Sequence, residues 1–151
     1  MRAPAPVAIL LSMLLTACAP ASADRPAVAG SAIPAPTVFN PKAFDTSFPV
    51  EIADRVGPQC GYQERKLAGR LDAPFEASPG IWTFNGCIVS PGNVFYNIVL
   101  NLEFPDGETV AFRVLDQTER DGEARFAVDV RRSSVAGAKA TLYFNQTRSR
   151  S

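Results

Sequence analysis

Between residues 81 and 146, apolar and polar side chains alternate along five successive segments. In 81–89, Trp82, Phe84 and Ile88 share one face. In 94–104, one face holds Val94, Tyr96, Ile98, Leu100, Leu102 and Phe104. The other face of that segment carries Phe95, Asn97, Val99, Asn101 and Glu103. Segment 108–116 aligns Val110, Phe112 and Val114; segment 123–131 aligns Phe126, Val128 and Val130. In 140–146, Leu142 and Phe144 lie opposite Tyr143. A period of two is the signature of half-buried strands. Turn residues punctuate the pattern: Ser90-Pro91-Gly92-Asn93, the hairpin signals Pro105-Asp106-Gly107 and Asp121-Gly122, and a small-residue loop over 135–139. Short links favour antiparallel neighbours, so the pattern predicts a meander of about five strands.

Earlier in the chain the period is less clear. Over 47–57, Ser47 in capping position and inward Ile52 and Val56 fit a short helix. Over 62–72, strand and helix are both compatible with the pattern. Segment 38–72 is the material available to cover the apolar face of the sheet. The expected fold is all-β with one short helix at most, an antiparallel meander closed into a small sandwich or barrel.

At the start, Arg2 precedes an apolar run over 7–17, too short for the roughly 20 residues of a membrane-spanning helix. It fits the central region of a secretory signal peptide. Leu15-Thr16-Ala17-Cys18 follows. This resembles the lipobox of bacterial lipoproteins, an aliphatic residue and two small ones before a cysteine. The resemblance implies that Cys18 is acylated, that 1–17 is removed, and that the chain is held in the bilayer by its lipids. Several acyl chains anchor firmly, at about 0.8 kcal/mol per buried CH2. Ala19 after the cysteine, by resemblance to Gram-negative lipoproteins, implies an outer-membrane site facing the periplasm. Residues 18–37 then read as the lipidated cysteine and an Ala/Pro-rich tether, reaching roughly 60 Å when extended. Residues 38–147 are expected to form one β-rich domain, with 148–151 a frayed tail.

With Cys18 acylated, Cys60 and Cys87 remain of the three cysteines. Export to an oxidising compartment makes a disulfide between them the default. Closing that loop stabilises by about 3 kcal/mol on the chain-entropy model.

Composition narrows the chemistry. The 151 residues suit one domain. Lys and Arg total 15, as do Asp and Glu, so nothing in the net charge calls for nucleic acid as partner. There is no histidine, which removes the usual general base and metal ligand. No motif for nucleophilic catalysis, phosphate binding or calcium binding is present. No catalytic residue, metal site or cofactor is therefore expected. The acids around 106–123 sit at turns, where carboxylates are ordinarily solvated.

Two asparagines in alternate strand positions beside Phe95 and Val99 are unusual, because asparagine is disfavoured in strands. The face Phe95, Asn97, Val99 and Asn101 is the candidate contact surface for another protein. Over 133–144 the chain bears an architectural likeness to the lipoprotein inhibitors of lysozyme. It departs from their Ser-Gly-x-x-Tyr loop: Val135 follows Ser134, Gly137 comes late, and Ala140 stands at the tyrosine. The leading expectation is a lipid-anchored envelope protein of inhibitor or immunity type, not an enzyme. The alternatives are a structural part of an envelope or secretion machine, then a carboxylate-dependent hydrolase.

Overall fold

The computed structural model describes residues 33–55, 60 and 67–146. Residues 1–32, with Cys18, the signal-peptide and most of the tether, lie outside them, as does the tail beyond Gln146.

Among the described residues, eight strands form one continuous curled sheet. They are β1 (Thr46–Ile52), β2 (Ala68–Leu71), β3 (Phe75–Ser78), β4 (Ile81–Ser90), β5 (Phe95–Glu103), β6 (Thr109–Gln117), β7 (Gly122–Arg131) and β8 (Lys139–Gln146). The helical content of the described residues is a single 3-10 turn, Pro41–Ala43, with Asn40 accepting from the Lys42 N–H. The architecture is thus all-β, with one disulfide, Cys60–Cys87.

The order of strands departs from a run of neighbours. β7 pairs with β4 along its whole length, while the other edge of β4 is shared by β3 and β2. β1 joins the two halves of the sheet. Its first five residues pair antiparallel with β8, and Glu51 and Ile52 pair parallel with β2. β5 lies between β8 and β6. The two end strands, β6 and β7, touch without a ladder between them. Curling thus buries the inner face of the sheet against itself, and 38–72 is not needed as a separate lid.

Asp121-Gly122 is accordingly not the tip of a paired hairpin. The segment 118–121 docks instead on the link between β4 and β5. Thr118 exchanges hydrogen bonds with Phe95, donating to its carbonyl at 2.9 Å and accepting from its N–H at 3.0 Å. Asp121 N–H donates to the Ser90 carbonyl, and Ser90 Oγ–H to that of Glu119. Ser90 and Thr118 are buried, so these bonds satisfy groups that water cannot reach. The 104–108 turn is a hairpin as expected. Gly107, at φ +85°, supplies the left-handed conformation and donates to the Phe104 carbonyl.

The 47–57 helix is replaced by β1. Pro49 fixes its own φ and pushes Phe48 out of the helical region, and an open slot beside β8 accepts the extended chain. Residues 56–59 and 61–66 are outside the description; from 68 to 71 the choice between helix and strand resolves to strand.

The core draws on both halves. Phe84, Ile88 and Val128 meet Ile98, Leu100, Leu102, Phe112 and Leu142, all with no solvent exposure. Each such side chain contributes about 1.5–3 kcal/mol relative to an exposed position. Gly86 lets the Phe126 ring and Leu71 close over β4, since a Cβ there would collide with both. Pro105 and Gly137 bring the 104–108 turn against the 133–138 loop.

Candidate functional site

The four residues of the predicted contact face separate in the structure. Asn97 adopts φ +52°, a left-handed value that asparagine tolerates better than most residues. Two residues of β5 there oppose one of β8, a β-bulge between Tyr96 and Val99. The extra residue reverses the alternation. Phe95 turns inward, 2% exposed, with its ring 5.2 Å from that of Phe144 in an edge-on arrangement. Tyr96, expected inside, is only half-buried, while Asn97 is exposed. Beyond the bulge Ile98, Leu100 and Leu102 face the core, so Val99 and Asn101 face outward. Phe95 and Val99 therefore lie on opposite sides of the sheet.

The outward side is not open. Residues 36–45 run across it as a strap. At one end Pro36 bridges to Phe112 on the free edge of β6, and Thr37 N–H donates to the Ala111 carbonyl at 2.8 Å. At the other end Asp45 N–H donates to Asn145 Oδ1 at 2.9 Å, and Gln146 N–H to Asp45 Oδ2 at 3.3 Å. Between them Phe39 sets its ring edge-on to Tyr143 at 4.7 Å, and Phe44 lies 5.7 Å from the same tyrosine. Val99 and Ala111, on this side of the sheet, are each 3% exposed. Among the described residues, backbone pairing with the sheet thus starts at Pro36, two residues inside the predicted tether.

The disulfide lies on the outward side of the other half. Cys87 sits between the inward positions Gly86 and Ile88 of β4, and it and Cys60 are 3–4% exposed. Their Cα atoms are 5.5 Å apart.

A polar cluster closes the end of the molecule where the 104–108 turn meets β7. Arg132 donates to Asp106 Oδ2 and Glu108 Oε2 and lies over the Phe104 ring, 4.1 Å from its centre. The Glu108 backbone N–H and the Arg132 guanidinium together hold the Asp106 carboxyl below its ordinary value. Burial opposes the charge of Arg132, but its two carboxylate partners raise its pKa overall. With both acids occupied by one arginine, the cluster pins turn to strand. Beside it, two shallow depressions of about 180 and 370 Å³ meet at Glu103 and Lys139. Pro49, Ile52 and Thr141 line the larger one. The 133–138 loop, likened above to the lysozyme inhibitors, is turned on itself by Ser134 Oγ, which accepts from the Ala136 N–H. Among the described residues, no group of three or more His, Cys, Asp or Glu is placed to hold a metal ion.

Phe39 and Phe44 were not singled out by the sequence. Two phenylalanines flanking Asn40-Pro41-Lys42-Ala43, just after a Pro-rich stretch, were the available signal for the strap.

Comparison of the chain with protein-family models, curated proteins and solved structures finds no match.

Proposed function

We propose that this chain is an exported bacterial lipoprotein, held in the envelope by acylated Cys18, whose β domain acts by binding another protein. The observation that carries the reading is Leu15-Thr16-Ala17-Cys18 directly behind a short apolar run. The buried Cys60–Cys87 bridge supports it, because structural disulfides persist in oxidising compartments. The same reading puts the protein at the outer membrane, facing the periplasm, as an inhibitor or immunity-type protein and not an enzyme.

Two measurements test it. Cys18→Ser is expected to retain the signal peptide and lack the lipid mass; unchanged processing and mass would remove the anchor. Cross-linked affinity capture from envelope extract is expected to recover one protein in stoichiometric amount. Background proteins alone would remove the binding role.

A further inference from the structure

We infer that the outward face of β5 and β8, together with the free edge of β6, is a binding site for an extended peptide segment bearing aromatic side chains. In the resting chain the strap, residues 36–45, occupies this site and is displaceable. The inference rests on the protein-binding reading and specifies where and what the domain binds.

Three observations converge on it. First, the face is built to be covered, whereas its cover is lightly held. Val99 and Ala111 are 3% exposed, yet no strap residue is buried and only Phe39 and Phe44 are half-buried. Val38, between the edge bond and Phe39, is fully exposed. Second, the strap displays the chemistry that the site accepts. One backbone N–H adds to a sheet edge and two rings seat on Tyr143. Edge pairing with side-chain pockets is a recurring mode of peptide recognition. Third, the strap is an imperfect occupant. Asn101, paired across the sheet with Ala111 and Thr141, has its Oδ1 shielded from water with no hydrogen-bond donor. A segment that donates to this oxygen gains a bond that the strap does not make.

A covering segment in the same chain acts at an effective concentration in the millimolar range. A competing segment must overcome that advantage, so its apparent affinity rises as the strap is weakened. Weakening the anchored side chains therefore exposes the site without altering it.

The test uses a fluorescent peptide with the sequence of residues 33–45, titrated into the purified chain by polarisation. Phe39→Ala/Phe44→Ala is expected to bind this peptide at least about tenfold more tightly than the unaltered chain. A peptide with both phenylalanines replaced by alanine is expected to lose binding. Equal affinity for the two chains, or binding to neither, overturns the proposal. Hydrogen exchange on the unaltered chain provides a second readout that needs no variant. The Thr37 N–H is expected to exchange well before the β5 amides; exchange of both only on global unfolding overturns displaceability. Concentration-dependent dimerisation through exchanged straps would assign the site to a second copy and overturn a heterologous occupant. None of these measurements depends on Cys18 or on an envelope extract, so failure here is distinguishable from failure of the anchoring or capture experiments.

Discussion

On the outward side of β4, Cys87 is joined to Cys60 by a covalent bond, and both atoms of sulfur are out of solvent. On the outward side of β5 and β8, the strap is held by ring contacts with Tyr143 and by hydrogen bonds at its two ends. Both attachments come from the first 60 residues of the chain, and both sit against strands of one sheet. Their energetics differ in kind. A disulfide is a covalent link that holds both ends for as long as it stays oxidised, and it stabilises chiefly by restricting the unfolded chain. A non-covalent strap gains only what its contacts contribute and can open by itself as a local unit. The covalent half therefore serves to hold the domain together, and the strapped half is where a surface can be exposed under native conditions.

A core substitution ignores this division and should have the largest effect. Phe112 has its ring fully buried, and its backbone also receives the Pro36 bridge. Phe112→Ala is expected to cost about 3–5 kcal/mol in urea unfolding, with strap and sheet lost in one transition. A cost below about 1 kcal/mol would mean that the two halves do not share this core.

Breaking the covalent attachment comes next. Cys60→Ser opens a link between residues 27 apart in sequence, with an expected loss of about 3 kcal/mol. The same loss should appear when the unaltered chain is unfolded with reductant, and reductant should not affect the variant. Under either condition, Thr37 N–H exchange relative to the β5 amides should change little, because the strap is attached to the other half.

Removing the strap rings should cost less. Phe39→Ala/Phe44→Ala is expected to lower global stability by about 1–2 kcal/mol, from the contacts with Tyr143 and with each other. The unfolding slope against urea should fall slightly, since less surface remains to be exposed. A loss as large as that of Cys60→Ser would make the strap an integral part of the core and erase the contrast.

How much of this the sequence displayed follows from what each region asks of its side chains. Strands β4 to β8 turn one side to the core and alternate residue by residue, so alternation revealed them nearly to their ends. The segment 47–57 carried Ile52 and Val56 at helical spacing, and only Pro49 with its preceding Phe48 argued against a helix. β3 has four exposed residues and pairs over a short stretch of β4, so burial imposed no pattern on it. The β6–β7 link carried a good turn signal, but in the structure it docks on the β4–β5 link through the buried bonds of Ser90 and Thr118, far apart in sequence. At the predicted contact face, a single left-handed residue, Asn97, was enough to send Phe95 inward. Alternation assumes an unbroken register, and a bulge leaves little trace in residue order. The unusual asparagines were still informative: Asn97 marks the bulge, and Asn101 supplies the unpaired oxygen on the strapped face.

The smallest effect is expected at the end of the molecule, where Arg132 joins the 104–108 turn to the strand that leads into the 133–138 loop. Asp106 is held below its ordinary value of 3.8 by the Glu108 N–H and Arg132. A carboxyl depressed in the folded state contributes stability that is present above its unfolded value and is lost as pH falls through its folded value. The contribution should therefore be intact at neutral pH and decline from near pH 4 downward. Asp106→Asn is expected to flatten the stability profile in that acid window and to change it little in shape above pH 5. Because the carboxylate is exposed, added salt should reduce the difference between variant and parent. Neither the strap nor the disulfide contains a group that shares this acid transition through Arg132, so exchange of the Thr37 N–H should be indifferent to the substitution. Acid-induced release of the strap in the parent but not in Asp106→Asn would show that the two regions are coupled after all, and the contrast between a pinned half and a releasable one would then have to be redrawn around Arg132.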